Sequence, residues 1–258
     1  MNENQGFSGL NLVDTKTNSI SKPLVFLPES EPIVNWKDLG VQNYKSVWDL
    51  QEEHLQKIVS QKIEARVNPE IVPAHFLFFT EHTPVFTIGK SGLPQHLLIS
   101  EENLEKAGIE FFKSNRGGDI TFHGPGQIVV YPILDLNQIY TDIHRYLRDI
   151  EQVVIETLAN FGIENGERKE GLTGVWIGEE KICAIGVRAS RWVTMHGFAL
   201  NVNTDLSYFD LIVPCGISDK AVTSMKKILC REIEMEAVKA QIRINFERIF
   251  KVKLQHEV

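Results

Sequence analysis

Long amphipathic helices separated by clusters of short apolar strands are the feature that most constrains this fold. Apolar residues recur at helical spacing between Asn43 and Val67, and again from Ile143 to a stop near Gly162. A third such stripe begins at Met235. The runs between them are short, apolar and bounded by glycine or proline, which is typical of strands and turns. This alternation predicts an α+β or mixed α/β domain.

The predicted strands are AHFLFFTEH, PVFTIG, IEFFKSN, DITFH, QIVVYPILDL, TGVWIG, KICAIGVRA and VTMHGFALNV. A chain of 258 residues, 43% of them hydrophobic, is long enough to bury a large core. Residues 1–30 are polar, and we expect an extended or disordered extension there. The remainder, 31–258, is expected to form one domain.

Charge, hydropathy and cysteine content together exclude several classes of protein. A net charge of -7 argues against a general nucleic-acid binder, which would present a basic surface. No apolar run approaches the ~20 residues needed to span a bilayer, and no secretory signal is evident. Three cysteines without a CxxC motif suit a reducing compartment better than a disulfide scaffold. We therefore expect a cytoplasmic protein without a membrane partner.

A glycine-rich segment, RGGDITFHGPGQIVVYP, begins at Arg116. It matches neither a GxxxxGK[ST] phosphate loop nor a GxGxxG opening a helix. Its glycine pairs could be ordinary hairpin turns. Alternatively, they could let the backbone approach a ligand closely, with Arg116 and His123 lining a pocket at the two ends of a short strand.

One cysteine stands at a sharp break in the chain, in the stretch IVPCGIS. Pro214 restricts the backbone before Cys215, and Gly216 permits angles closed to other residues. Cys215 is therefore either a turn residue or an accessible nucleophile. Cys183 lies within an apolar strand, where a core role is expected. Cys230 has no chain-breaking neighbour and is the weaker candidate.

Lys181, at the start of a predicted strand, is either a solvated edge charge or a partner for Cys215. Lowering a thiol pKa from about 8.5 to about 6 requires about 3.4 kcal/mol. An ammonium about 4 Å away supplies about 4 kcal/mol at an effective dielectric constant of about 20. One lysine is therefore sufficient. Backbone amides would contribute if SDKAVTSM forms a helix capped by Ser218 or Asp219.

The histidines do not suggest a metal site. His75 and His82 are not at a convincing ligand spacing, and no acidic or cysteine cluster accompanies them. His196 is compatible with a hydrogen-bonded strand histidine. We predict no metal.

Several motifs together resemble a known family. RGGDITFHGPGQIVVYPILDL strongly resembles the signature segment of the octanoyltransferases of lipoate biosynthesis, the lipoyl(octanoyl) transferase family. The resemblance continues in the same order through GVWIGEEKICAIGVR, HGFALNVNTDLSYFDLIVPCGI and AVTSM, and spans residues 116–225. It implies a single domain of the biotin and lipoate protein ligase type, with a mixed β-sheet flanked by helices.

The resemblance also implies site residues. The acyl-thioester cysteine of the family falls on Cys215 and its partner lysine on Lys181. The acyl-pocket segments fall on Arg116, Gly117, Gly118, Asp119, Ile120, Thr121, Phe122 and His123, on Ala184, Ile185 and Gly186, and on Gly197, Phe198 and Ala199.

The implied reaction moves an octanoyl group from octanoyl-acyl carrier protein to a lysine of a lipoyl domain. The implied acceptors are lipoyl domains of 2-oxoacid dehydrogenase complexes and the glycine cleavage H protein. No ATP or other cofactor is needed, because the thioester is already activated, and we expect a monomer. Two alternatives remain open: an ATP-dependent lipoate or biotin ligase, and a non-catalytic module that holds a lipoyl domain or acyl chain.

An acidic carrier and a net-negative enzyme would repel each other, so docking would need a local basic patch. The candidates near the matched motifs are Arg145, Arg148, Arg188 and Arg191. Each is individually explained as well by an ordinary solvated charge.

Overall fold

A large mixed β-sheet forms the centre of the computed structural model, which describes residues 31–213 and 221–257. Its strands are β1 (Ile33–Gln42), β2 (His75–His82), β6 (Gln127–Ile133), β7 (Gly166–Lys169), β8 (Leu172–Ile177), β9 (Glu180–Ser190), β10 (Val193–Asn201) and β11 (Lys253–His256). Their order is β11-β1-β2-β6-β10-β9-β8-β7. Strand β1 pairs in parallel with β11 and β2, whereas the other neighbours pair antiparallel.

A small sheet lies beside the large one. It consists of β3 (Val85–Ile88), β4 (Glu110–Lys113) and β5 (Ile120–His123), in the order β4-β3-β5. The helices are α1 (Tyr44–Glu64), α2 (Glu101–Lys106), α3 (Ile143–Asn160), α4 (Met225–Leu229) and α5 (Met235–Phe250). Short 3₁₀ turns occupy Pro94–His96, Leu136–Gln138 and Leu206–Leu211.

Helices cover both faces of the large sheet. Strand β2 shows how, because successive side chains point to opposite faces of a strand. Phe76 and Phe78 pack in the cluster that contains the buried stripe of α1. Leu77 and Phe79 pack in the cluster that contains α3 and α5. A sheet buried on both faces has near-continuous apolar strands, which matches HFLFFTEH.

The predicted long helices are present, and local capping explains where they begin. The side chain of Asn43 accepts a hydrogen bond from Ser46 N at the start of α1, and Asp142 does the same for Arg145 N at α3. Gly162, with φ +86°, follows the last turn of α3 as the predicted stop. All eight predicted strands are present as well. The mixed α/β fold class is therefore confirmed.

Five strands and helices were not predicted from the sequence: β1, β7, β11, α2 and α4. Within the described parts of the chain, no helix combines the length and apolar character needed to cross a bilayer.

Candidate active site

A cavity of about 600 Å³ lies where the two sheets meet. Its walls include residues of β5 from the small sheet and of β6, β9 and β10 from the large sheet. The first residue of α1, Tyr44, also contributes to the lining.

Nearly all the pocket residues predicted from the sequence line this cavity. They are Arg116, Gly117, Gly118, Asp119, Ile120, Thr121, His123, Ala184, Ile185, Gly186, Gly197, Phe198 and Ala199. Phe122 is placed differently: it is buried in the core of the small sheet, and its ring stacks on Tyr208 with centroids 4.4 Å apart. Lys181 lines the cavity as well.

The glycine-rich turn docks directly on strand β9. Gly117 N donates to Val187 O over 2.9 Å. A Cβ added to Gly186 would lie 2.9 Å from Gly117 O, closer than real Cβ contacts come. Gly186 therefore permits a backbone-to-backbone contact that a larger residue would prevent. The turn forms part of the cavity wall as well as joining two strands.

The buried guanidinium of Arg116 is fixed by its neighbours. Its Nη2 donates to Thr87 O (2.6 Å) and Thr87 Oγ1 (2.9 Å), and its Nη1 to Gly117 O (2.9 Å). His123 Nε2 lies 3.5 Å from the same Thr87 hydroxyl. Thr87 of β3 thus connects Arg116 and His123, a role that the sequence analysis missed.

A chain of side-chain hydrogen bonds continues from His123 along the cavity. Gln127 Nε2 donates to Asn201 Oδ1 (2.8 Å), which leaves Gln127 Oε1 to accept from His123 Nδ1 at 2.8 Å. His123 therefore carries its proton on Nδ1. Asn201 Nδ2 donates to Thr223 O over 3.0 Å. Gln127 and Asn201 were also missed; amide side chains inside apolar strand sequences were the available signal.

Three buried histidines around this end of the cavity are held neutral. Burial lowers the pKa of His123 to about 3, with further contributions from His82 and Arg116. Burial lowers the pKa of His196 to about 3 and that of His82 to about 4. His82 lies behind the lining, with Nε2 2.7 Å from Tyr131 Oη.

Lys181 lies at the other end of the cavity, and two backbone hydrogen bonds fix its main chain. Its N–H donates to Ala221 O (2.9 Å), and its carbonyl accepts from Thr223 N (3.0 Å), on either side of a parallel bridge to Val222. A β-bulge lies beside it: Val175 pairs with Cys183 but Trp176 with Lys181, so Ile182 is the extra residue. Bulges of this kind re-aim a side chain, and they are common next to active sites.

Cys215 and the preceding and following residues, 214–220, lie outside the described residues. The chain on both sides is anchored beside the cavity. Val213 N donates to His96 O over 2.8 Å, and Ala221 accepts from Lys181. His96 lines the cavity, and its Nδ1 lies 2.6 Å from Asp119 Oδ2.

The helix over SDKAVTSM, considered as a condition for backbone amides to stabilise the thiolate, is not formed over residues 221–224. Residues 221–224 are extended, and α4 begins at Met225 with Ser224 as its cap. The physical reason is non-local: the backbone at 221–223 pairs with Lys181 instead of forming helical bonds. Ser218 and Asp219, the proposed caps, lie outside the described residues.

The two described cysteines differ in exposure. Cys183 is fully buried in the main core, as predicted, and burial raises the pKa of its thiol. Cys230 is exposed at the end of α4. Across residues 31–213 and 221–257, no three histidine, cysteine or acidic side chains come together as metal ligands.

The four arginines considered as a basic patch differ in their partners and in their distance from Lys181. Arg145, Arg148 and Arg188 are paired with Asp149, Glu151 and Glu52, respectively. Arg191 follows strand β9, ten residues after Lys181 and so about 33 Å along the strand. Arg148 lies nearer to Lys181, because its partner Glu151 also accepts from Gly174 N beside the Lys181 side chain. The basic patch stays a prediction.

Comparison with known proteins gives the same picture as the motifs. Residues 43–247 match the family model of the lipoyl protein ligase A/B catalytic domain. An octanoyltransferase of Flavobacterium johnsoniae is 52% identical over 228 residues, which cover 86% of this chain and 98% of that protein. An octanoyltransferase of Christiangramia forsetii is 51% identical over 231 residues, covering 87% and 98%.

Solved structures are similar at the level of the fold. A lipoate-protein ligase A bound with ATP superposes with a TM-score of 0.65 at 14% identity, covering 88% of each chain. A bipartite lipoate protein ligase from Thermoplasma acidophilum gives a TM-score of 0.64 at 16% identity, covering 88% of this chain and 86% of that one. The expected ligase-type fold is thereby confirmed. The chain therefore belongs to the lipoyl protein ligase A/B catalytic domain family and, within it, to the octanoyltransferases.

Proposed function

We propose that this enzyme transfers an octanoyl group from octanoyl-acyl carrier protein to a lysine of a lipoyl domain, through a thioester on Cys215. The observation that carries the proposal is the anchoring on either side of Cys215. Val213 is bonded to His96, and Ala221 and Thr223 are bonded to Lys181; His96 and Lys181 line the same cavity. Chain geometry alone keeps the Cα atom of Cys215 within about 7 Å of that of Val213.

The cavity suits an acyl chain at its centre. Val129, Ile185, Phe198 and Ala199 give it apolar walls, and Leu172 adds to them near Lys181. Burying each CH₂ group of an acyl chain against such walls contributes about 0.8 kcal/mol. The substrate's thioester would then lie near the lysine end of the cavity.

In the first step, the Cys215 thiolate attacks the carbonyl carbon of the donor thioester. A new S–C bond forms, the bond to the carrier's sulfur breaks, and the carrier leaves as a thiol with the proton that the Lys181 ammonium gives up, which leaves Lys181 as a neutral amine. The positive charge of Lys181 stabilises the attacking thiolate.

In the second step, the amine of the acceptor lysine attacks the acyl-enzyme. An amide N–C bond forms, and the C–S bond to Cys215 breaks. Acylation has removed the thiolate that faced Lys181, so Lys181 can accept the proton that the amine must lose.

Mass spectrometry after incubation with octanoyl-acyl carrier protein tests the proposal. We expect an octanoyl adduct on Cys215, and we expect Cys215→Ser to lose both the adduct and transfer. Cys230→Ser is the matched control and should retain both. Full transfer by Cys215→Ser would refute the mechanism. Formation of an acyl-adenylate from ATP would instead support the ligase, and neither product would support a non-catalytic module.

The wider setting follows from the same chemistry. The acceptors are lipoyl domains of 2-oxoacid dehydrogenase complexes and the glycine cleavage H protein. A reducing cytoplasm would keep the Cys215 thiol free. We take a monomer, with residues 31–258 as the catalytic domain, as the working form. Light scattering would test the assembly, and a variant lacking residues 1–30 should keep wild-type turnover.

A further inference from the structure

The side chain of Lys181 rests on β8, the strand next to its own. Trp176 is its cross-strand partner, and Lys181 Nζ lies 4.7 Å from the centroid of the indole ring. The indole is almost fully buried, at 2% exposure, so packing fixes the ring's position. An ammonium over the face of a tryptophan is attracted to the ring quadrupole.

A glycine on the same strand makes room for the methylene stem of Lys181. A Cβ added to Gly174 would lie 3.4 Å from Lys181 Cε and 3.7 Å from Lys181 Cδ, so the stem passes close to the glycine's Cα. Gly174 has a φ of +134°, which side-chain-bearing residues rarely adopt. The position of this glycine therefore affects where the stem can lie.

Gly174 is tied in turn to a buried carboxylate on α3. Glu151 Oε1 accepts from Gly174 N over 3.1 Å. Glu151 Oε2 accepts from Arg148 Nη1 at 2.7 Å and Arg168 Nε at 3.1 Å. The Glu151 side chain is fully buried, a location that a carboxylate tolerates only when it is paired and hydrogen-bonded.

We infer that Trp176 and Glu151 are positioning residues for Lys181. Trp176 fixes the ammonium directly, and Glu151 acts through Gly174 by holding the backbone beside the lysine stem. This inference rests on the proposed role of Lys181. Neither residue lines the cavity; each determines where the lysine's charge stands relative to the thiol.

The expected effect is on the chemistry more than on binding. A displaced ammonium stabilises the thiolate less, because a Coulomb interaction falls with distance. It also meets the acceptor amine in a poorer geometry, and a displacement of about 1 Å can slow a reaction by about a hundredfold. The donor's KM should change little.

The test measures the pH midpoint of Cys215 alkylation in a Cys230→Ser background, so that the exposed second thiol does not contribute. Trp176→Leu removes the aromatic face, and Trp176→Phe retains one. Glu151→Ala removes the acceptor for Gly174 N, and Glu151→Gln retains one. Lys181→Met gives the reference shift of the midpoint. Lys169→Met is the matched control, because Lys169 Nζ lies 5.5 Å from the same indole but Lys169 does not line the cavity.

We expect Trp176→Leu and Glu151→Ala to raise the midpoint by at least half of the shift in Lys181→Met. Single-turnover transfer from a preformed acyl-enzyme should slow by about ten- to a hundredfold. Trp176→Phe and Glu151→Gln should lie closer to the wild type, and Lys169→Met should match it.

Three outcomes would overturn the inference. If Lys181→Met leaves the midpoint unchanged, the proposed role of Lys181 fails, and the positioning roles fail with it. If Lys181→Met shifts it but Trp176→Leu and Glu151→Ala do not, the positioning roles alone are wrong. If Lys169→Met shifts the midpoint as much as Trp176→Leu does, a long-range charge effect explains the shifts and the positioning roles are wrong. Should Glu151→Ala fail to fold, the two Trp176 variants decide.

Discussion

At one end of the cavity, His82, His123 and His196 lie buried, and burial lowers the pKa of each to about 4, 3 and 3, respectively. At the other end, Lys181 lies at the start of a strand, bonded to the chain that follows Cys215. The histidine is usually the side chain that titrates near neutral pH. Here burial removes that property, so the histidine end can shape the pocket but supplies a weak base.

This difference bears on the choice of general base. His123, which lines the cavity, is the next candidate if Lys181 proves not to act as the base. Its Nδ1 proton is committed to Gln127, and its pKa of about 3 makes Nε2 a poor proton acceptor at neutral pH. The low pKa of His123 therefore favours the proposed lysine over this histidine as the general base.

The largest effect is expected for Lys181→Met. Removing the ammonium should raise the pH midpoint of Cys215 alkylation by about one unit or more, since a few kcal/mol of thiolate stabilisation is lost. Loss of a general base should also slow single-turnover transfer by about 10²–10⁴-fold. Stopped-flow transfer from a preformed acyl-enzyme measures the second effect separately. An unchanged alkylation profile would show that Lys181 does not stabilise the thiolate.

The three buried histidines should make the folded protein less stable as the pH falls. The folded-state pKa values of the three histidines lie below the unfolded value of about 6.5, so the unfolded state binds more protons. Their stabilising contribution is therefore complete above about pH 6.5 and falls as the pH drops towards 4. Each histidine adds up to about 1.4 kcal/mol per pH unit to the slope.

Denaturant unfolding at a series of pH values measures this slope. In His82→Gln, the slope between about pH 6.5 and 4 should decrease by up to that amount per unit. A slope identical to that of the wild type would mean that His82 is protonated in the folded protein.

The smallest effect on the chemistry is expected for His123→Gln. Because His123 is already neutral, its removal should leave the pH dependence of transfer unchanged. Repacking of the pocket should lower turnover by less than about tenfold, which is equivalent to about 1.4 kcal/mol. A pH–rate profile of the variant beside that of Lys181→Met makes the comparison. Loss of a titration step in His123→Gln would assign the base to the histidine end.

The sequence predicted the elements whose pattern is local. The stripes of α1 and α3 and the apolar run of β2 follow directly from side-chain periodicity. Strand β1 was missed because most of its residues are only partly buried and no clear alternation results. The extended conformation of residues 221–224 was not predicted, because their pairing partner, Lys181, is distant in sequence, and local preference does not reveal such a partner.

The motifs predicted the pocket residues, but they did not predict the hydrogen bonds between these residues. Thr87 contacts both Arg116 and His123, although nothing in PVFTIG distinguishes this threonine from an ordinary strand residue. The bulge that re-aims Lys181 is likewise a property of strand pairing, and two registers would fit the same apolar pattern.

The backbone bonds on either side of Cys215 make individual amides reporters of local opening. Thr223 N–H is donated to Lys181 O, and Val213 N–H to His96 O. Hydrogen–deuterium exchange at each amide gives the free energy needed to open its own side. If the two amides are equally protected, and acylation raises the protection of both by the same amount, the two sides open as one cooperative unit. Unequal protection would mean that the hydrogen bond on one side can open while the bond on the other side stays formed.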